Sequence, residues 1–286
     1  MYRLLRSAAL AAATCATIAC QSTLEAVYNP PLIKAAHAGD SIRVRQLLSE
    51  GADVNARNRW NDTALLYAVF HGHDEVAVIL LAANADVNVQ NDTYGSTALM
   101  LASQKGNLKL VQALLDHRAD VRPKNKQGMS ALWTAAALGH AKIVEALLDV
   151  GADIDTSDPG GQTALCAAAW KGRTDASRVL IKRGADIHAR EKNGWTPLMI
   201  ASAEGHEPIV RSLLEAGAGQ NATNVCGRTA LMYAARYGHT EIVRALLDSG
   251  ADPSIHDRDG VSARAVAARE GHQEVVRLLE GAAPRN

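Results

Sequence analysis

Apolar residues recur along most of the chain at helical spacing, in short segments that alternate with polar stretches containing glycine. Ile143, Val144, Leu147 and Leu148 form one such segment and would line one face of a helix. Segments of this kind come in pairs, and Asp or Asn residues follow each pair. The pattern predicts pairs of short helices that pack against neighbouring pairs, with projecting turns between them.

The pattern returns at a fixed interval. A glycine in the middle of each pair recurs every 33 residues, except for an interval of 34 between Gly72 and Gly106, and we place the additional residue near Asn91. The glycines are Gly39, Gly72, Gly106, Gly139, Gly172, Gly205, Gly238 and Gly271. A period of this length is typical of stacked structural repeats.

The polar positions of the repeat fit the ends of its helices. A Thr or Ser precedes the first helix and would accept a hydrogen bond from a free backbone N–H there. These residues are Thr63, Thr97, Ser130, Thr163, Thr196, Thr229 and Ser262. The second helix ends at a glycine in most repeats, but at Asn84 and Arg118 in two, so we expect Arg118 to adopt a strained, positive φ.

One unit shows the motif in full: Asn193-Gly194-Trp195-Thr196-Pro197-Leu198, then Gly205-His206, and finally Gly217-Ala218. This sequence motif resembles the ankyrin repeat. The resemblance covers about residues 30–283 and implies an all-α ankyrin-repeat solenoid of eight helix-turn-helix repeats with β-turn hairpins at their tips. The eight repeats are 30–57, 58–91, 92–124, 125–157, 158–190, 191–223, 224–256 and 257–283.

The ends of the array differ from its interior. The first unit lacks a preceding hairpin, and in the last unit Arg264 replaces the Leu of the first helix, followed by Arg269 and Glu270. A terminal repeat needs such a polar outer surface, because no further repeat covers it. We therefore expect a complete array.

The histidines fit a structural role. His73, His140, His206, His239 and His272 all follow the mid-repeat glycine, and the ankyrin resemblance implies that they hydrogen-bond between neighbouring loops. His71-Gly72-His73 is the densest candidate for a metal site, but its two histidines occupy different positions of the repeat. We predict no metal, no cofactor and no catalytic residues. Cys166 and Cys226 lie two repeats apart, too far for a disulfide.

The N-terminus has the composition of a targeting segment. Arg3 and Arg6 precede an apolar run that ends at Cys20, and no acidic residue occurs before Glu25. The end of this run resembles the lipobox of bacterial lipoproteins, which predicts a signal peptide over 1–19, lipidation of Cys20 and a tether over 20–29. An ordinary cleaved export signal and a mitochondrial-type presequence are the alternatives. We expect a bacterial periplasmic protein attached to the outer membrane, or else a soluble periplasmic, secreted or mitochondrial one.

The resemblance places the binding surface on the concave side, at the hairpin tips and the exposed ends of the first helices. Six of the eleven aromatic residues fall there, and exposed aromatic and Arg residues are favoured in protein interfaces. The candidates are Trp60, Phe70, His71, Tyr94, Gln104, Lys105, Met129, Leu138, Trp170, Lys171, Trp195, Glu204, Arg228, Arg236 and Tyr237. Three other aromatics, Tyr67, Trp133 and Tyr233, are predicted to point inward.

The balance of charges disfavours two classes of partner. Thirty basic and thirty acidic residues cancel, which does not favour nucleic acid or an anionic membrane. We expect a monomer that binds another protein and contacts a membrane only through lipid on Cys20. It would protect or inhibit an exported enzyme, help to assemble an envelope complex, or act as an effector in a host cell. An enzyme is disfavoured, because repeats fill nearly all of the chain after the leader.

Overall fold

The structure is a computed structural model that describes residues 29–282. Sixteen α-helices occupy this range, and its β pairing consists of two isolated bridges, Ser157–Thr163 and His256–Ser262. The first helices of the repeats are α1 (Pro31–Ala38), α3 (Ala64–His71), α5 (Ala98–Lys105), α7 (Ala131–Leu138), α9 (Ala164–Lys171), α11 (Pro197–Glu204), α13 (Ala230–Tyr237) and α15 (Ala263–Arg269). The second helices are α2 (Ser41–Ser49), α4 (Asp74–Ala82), α6 (Leu108–Asp116), α8 (Ala141–Asp149), α10 (Thr174–Lys182), α12 (Glu207–Glu215), α14 (Thr240–Asp248) and α16 (Gln273–Ala282).

The helices belong to two compact units. The first comprises the described residues up to Ala102 together with Ala113–Ala119, and the second comprises Ser103–Gln112 together with the described residues from Asp120 onward. Within the second unit, α7, α9, α11, α13 and α15 pack one on the next, and α8, α10, α12, α14 and α16 form a parallel layer. The predicted all-α repeat architecture is confirmed.

Small side chains allow this close packing. Ala135, Ala168, Ala201 and Ala234 are fully buried at one corresponding position of the first helices. The Leu at the second position of every first helix except α15 is also buried. On α8, Ile143, Val144 and Leu147 are buried as predicted, whereas Leu148 of the same stripe is half-buried. Removing such residues from water is the main stabilising contribution to a fold of this kind.

The predicted helix caps are present. The hydroxyl oxygen of each Thr or Ser before a first helix accepts the backbone N–H three residues on, as Thr196 does from Met199 at 3.3 Å. Arg118 and Asn84 adopt positive φ angles of 62° and 60°, as predicted, and Asn61 adopts 61°, which the sequence analysis missed.

The additional residue also lies where it was placed. Most hairpins close by a backbone hydrogen bond that spans four residues, such as the one that Asn125 donates to Met129. In the hairpin that begins at Asn91, the corresponding bond reaches Ser96 and spans five residues.

The last repeat presents a polar surface, as predicted. Arg264 is exposed and forms an ion pair with Glu280 at 3.4 Å. Both cysteines of the repeats are free thiols, Cys166 buried and Cys226 exposed. None of the helices in 29–282 combines the length and the apolar character needed to cross a bilayer. The predicted signal peptide and Cys20 lie outside the described residues.

Candidate functional site

Each hairpin is organised by one polar side chain at its start. The Oδ1 atom of Asn125 accepts backbone hydrogen bonds from Gln127 at 3.0 Å and from Met129 at 2.9 Å. The residues that do the same in other hairpins are Asn58, Asp158, Glu191, Asn224 and Asp257. In the longer hairpin, Asn91 accepts backbone hydrogen bonds from Tyr94 and Ser96. These residues, which we call the hairpin anchors, were not predicted, although an Asn, Asp or Glu five residues before the capping Thr or Ser, or six in the longer hairpin, marks them.

Neighbouring hairpins are joined by single backbone hydrogen bonds. The N–H of the residue after the anchor donates to a carbonyl oxygen of the preceding hairpin, as Lys192 does to Gly160 at 2.9 Å. The same bond joins Asp92 to Trp60, Val225 to Asn193 and Arg258 to Cys226. These bonds hold the hairpin tips in a regular row within each unit.

Pro159 occupies the donor position in one hairpin. Proline has no N–H and cannot form the bond to the preceding hairpin. Its ring lies against Gly128 instead, in the space that a β-carbon on Gly128 would need. The φ of Gly128 is +78°, so this position favours glycine for two independent reasons.

The histidines that follow the mid-repeat glycines, which we call the histidine ladder, connect neighbouring repeats. The Nε2 atom of His73 lies 2.9 Å from the carbonyl oxygen of His37 in the preceding repeat. His206, His239 and His272 contact the carbonyl oxygens of Trp170, Ala203 and Arg236 in the same way. Each imidazole also covers the mid-repeat glycine of the preceding repeat, as does that of His140 over Gly106. In one of the three repeats that lack this histidine, Arg173 takes its place and donates to Ala137 at 3.3 Å.

Two candidate residues of the first unit, Phe70 and His71, contact each other, and two others, Trp60 and Tyr94, lie on its hairpins. His71 lies 4.4 Å from His37 and 5.0 Å from Phe70 between ring centroids, and Phe70 is 44% exposed. The guanidinium of Arg59 lies 4.0 Å from the ring of Trp60, and Tyr94 is exposed at the next hairpin. Tyr67 is buried as predicted. Residues 29–282 contain no group of three or more His, Cys, Asp or Glu side chains arranged to hold a metal ion.

The first-helix ends of the second unit carry aromatic residues beside cations. The Nζ of Lys171 lies 3.7 Å from the ring centroid of Trp170, and the guanidinium of Arg236 lies 5.9 Å from that of Tyr237. A cation over an aromatic face is attracted to it and presents a polar and an apolar surface together. Lys105, Leu138 and Glu204 occupy the corresponding position to Lys171 and Tyr237, and Met129 is half-buried on its hairpin.

Trp195 is half-buried rather than exposed as predicted, and the same correction applies to Trp60 and Trp170. Its ring lies against that of Tyr233 in the next repeat, with centroids 4.1 Å apart and planes at 31°. Tyr233 is itself buried, as predicted, and its hydroxyl oxygen accepts a hydrogen bond from Asn224 at 2.8 Å. Trp133 is only half-buried, and its Nε1 donates to Gln162 at 3.2 Å. Trp195 therefore joins two repeats in addition to showing one edge to solvent.

Arg228 is held by carboxylates of the chain itself. Its Nε donates to Asp257 at 3.0 Å, and its Nη2 lies 3.7 Å from Asp259. Burial of Asp257, whose side chain is 2% exposed, would raise its pKa, but hydrogen bonds from the Val261 N–H, Arg228 and the Asp259 N–H outweigh it and lower the pKa. The expectation that Arg228 offers a free charge to a partner needs this correction.

A cleft runs between α13 and α15, with hairpin residues at one end and the carboxyl ends of the helices at the other. Its lining shows that the hairpins and the ends of the first helices share one face of the second unit, which we call the hairpin face. The cleft residues are Arg228, Met232, Tyr233, Arg236, Asp257, Asp259, Val261, Val266 and Arg269.

A family model described as "Ankyrin repeats (3 copies)" matches the chain at residues 10–91, 83–158, 151–224 and 209–284. The chain is 44% identical over 82 residues to the "Mitochondrial disaggregase" of Bos taurus, and 42% identical over 87 residues to the "Probable E3 ubiquitin-protein ligase XBOS33" of Oryza sativa subsp. japonica. These matches cover 29% and 30% of this chain, but only 12% and 17% of the relatives.

A third relative is the "Ankyrin repeat and KH domain-containing protein mask" of Drosophila melanogaster, 38% identical over 106 residues. That match covers 37% of this chain and 3% of the relative. The chain thus spans less than a fifth of the length of these relatives, all of which are eukaryotic. Repeats of this family are in general non-enzymatic modules that bind other proteins, although one of these relatives is named as a ligase.

Proposed function

Because this chain belongs to the ankyrin-repeat family, we propose that it is a non-catalytic scaffold that binds a partner protein through the hairpin face of its second unit. One observation carries the proposal: Trp170 with Lys171, and Tyr237 with Arg236, place paired aromatic and cationic side chains at the ends of two first helices on this face. Aromatic and arginine residues supply most of the binding energy of many protein interfaces.

The face is suited to binding without rearrangement. Hairpin tips are fixed by their anchors and by the bonds between hairpins, and the helix ends are fixed by the histidine ladder. A preorganised surface loses little conformational entropy when it binds. We propose that the chain acts as a monomer, and that its partner is an exported enzyme, which it protects or inhibits, or an envelope complex.

We also propose a location. The leader supports a lipid tether on Cys20 at the bacterial outer membrane, on the periplasmic side. The alternative is mitochondrial: Arg3 and Arg6 precede a run without acidic residues, and one relative is named a mitochondrial disaggregase. An effector delivered into a host cell would share the hairpin face and differ in the fate of the leader.

Photo-crosslinking tests the binding proposal. A crosslinking residue at position 171 should capture a defined partner in cells, whereas one at position 142, exposed on the second helix α8, should not. Trp170→Ala should weaken the captured complex at least tenfold, because truncating a central interface aromatic typically costs about 2 kcal/mol or more. Equal capture from both positions, or capture unaffected by Trp170→Ala, would place the binding surface elsewhere.

A further inference from the structure

The cleft between α13 and α15 has two chemically different ends. At the hairpin end, Asp257 and Asp259 surround the guanidinium of Arg228. At the other end, Arg236 and Arg269 occupy corresponding positions in the last turns of α13 and α15. The two ends are separated by the length of α13, about 12 Å for its eight residues at about 1.5 Å each.

The arginines at the helix ends are the available charges of the cleft. No ion pair engages Arg236 within residues 29–282, and its guanidinium lies beside the Tyr237 ring. Arg269 pairs at 3.4 Å with the adjacent Glu270, and their side chains are 60% and 38% exposed. An exposed pair of this kind is screened by water and holds Arg269 only weakly. Arg228, in contrast, is already neutralised by Asp257.

The floor between the two ends is apolar. Met232 and Tyr233 line it from α13, Val266 lines it from α15, and Val261 contributes from the hairpin. An occupant therefore needs an apolar group on the floor and an anionic group between Arg236 and Arg269. Arginine binds carboxylates through paired hydrogen bonds, which favours a planar anion at this end.

We propose that this cleft binds an acidic peptide segment of the partner, with a carboxylate between Arg236 and Arg269 and a neighbouring apolar side chain on Met232 and Val266. The inference rests on the proposed function and names the class of partner segment. Nucleic acid is the less favoured anion, because Asp257 and Asp259 lie in the same cleft and would repel a continuous row of phosphates.

Fluorescence anisotropy tests the inference with the purified full chain and a short labelled peptide of alternating glutamate and leucine. The peptide should bind, and Arg236→Gln should weaken it at least tenfold. The matched control is Arg178→Gln, an exposed arginine on α10 away from the cleft, which should bind like the parent. Thermal melting followed by circular dichroism should show that both variants fold like the parent.

Three results would overturn the inference. They are equal binding of a peptide with glutamine in place of glutamate, an Arg236→Gln variant that binds like the parent, and binding of oligothymidylate as tight as that of the glutamate peptide. Crosslinking from position 171 separates the two proposals. A captured partner that Trp170→Ala releases and Arg236→Gln does not would leave the proposed function standing and remove the acidic segment.

Discussion

The pyrrolidine ring of Pro159 occupies the space that a β-carbon on Gly128 would need. These residues lie in adjacent hairpins of the second unit, at the one junction between described hairpins of this unit where the donor to the preceding hairpin is a proline. Ring packing there replaces a backbone hydrogen bond, and it requires glycine on the opposite side.

Gly128→Ala should therefore destabilise the fold more than Gly151→Ala. Both glycines have positive φ, 78° and 85°, so either alanine should cost about 1 kcal/mol in backbone strain. Only Gly128 meets a neighbour, which should bring its total to about 2–4 kcal/mol. Urea denaturation measures the loss in the free energy of unfolding for each variant. Equal losses would show that the hairpins separate without cost.

Arg118→Gly should stabilise the chain by about 0.5–1 kcal/mol, because glycine adopts a φ near +62° without steric strain. Asn84→Gly is the matched control at the same position of another repeat, with φ at 60°. Asparagine tolerates this region, so the gain there should be about 0.3 kcal/mol or less. A larger gain at Asn84 than at Arg118 would contradict the strain argument.

Asp257→Asn isolates the buried ion pair, because Asn serves as hairpin anchor in other repeats and still accepts both backbone hydrogen bonds. At pH 7 the change should cost about 1–2 kcal/mol through loss of the bond to Arg228. Asp158→Asn is the control: Asp158 anchors another hairpin, and its change should cost about 0.5 kcal/mol or less.

The cost of Asp257→Asn should depend on pH. The pKa of Asp257 in the folded chain lies below the value of about 3.9 for an unfolded aspartate. Its carboxylate therefore stabilises the fold fully above about pH 4, and this contribution is lost as the pH falls towards the folded pKa. Denaturation curves of the parent and of Asp257→Asn should converge at low pH. A difference that stays constant down to about pH 2 would assign it to something other than this charge.

Trp195→Ala should destabilise the fold by up to about 0.5 kcal/mol more than Trp170→Ala. Trp195 lies against Tyr233 of the next repeat, and paired aromatics contribute about 0.5–1.5 kcal/mol beyond the area that they bury. Trp170 is also half-buried, but the cation of Lys171 covers it instead, and such a contact contributes about 0.5–1 kcal/mol. Thermal melting of the two single variants measures how much stability each one loses. A larger loss for Trp170→Ala would reverse the assignment.

If Cys20 is lipidated, the mature chain should begin at residue 20, partition into detergent and become soluble on Cys20→Ser. Intact-mass measurement on the purified native protein reads both the start and the modification. A mature N-terminus elsewhere, without lipid, would remove the tether and leave a soluble exported or mitochondrial protein.

Structural features that depend on the residues of a single repeat could be predicted from the sequence, because the same residue types recur at these positions in most repeats. Examples are the cap at Thr196, the positive φ of Arg118 and the additional residue after Asn91. Contacts between side chains of different repeats could not be predicted in this way, because the residue at a given position differs from one repeat to the next. The pairing of Arg228 with Asp257 and that of Trp195 with Tyr233 are of this second kind.

Hairpin anchors fall between these cases. Asn58, Asp158 and Glu191 occupy the same position of their repeats but differ in residue type. A comparison that looks for identical residues therefore does not detect this position. They share an oxygen that accepts two backbone N–H groups, and this function defines the position.

The bonds of the histidine ladder and those between hairpins run in one direction, with the donor in the later repeat and the acceptor in the earlier one. A ribosome releases the earlier repeat first. For these bonds the earlier repeat contributes carbonyl oxygens, which water can satisfy. The ring that covers Gly205, for example, belongs to His239 of the next repeat and is translated later. Synthesis from the N-terminus therefore completes the acceptor of each of these bonds before its donor.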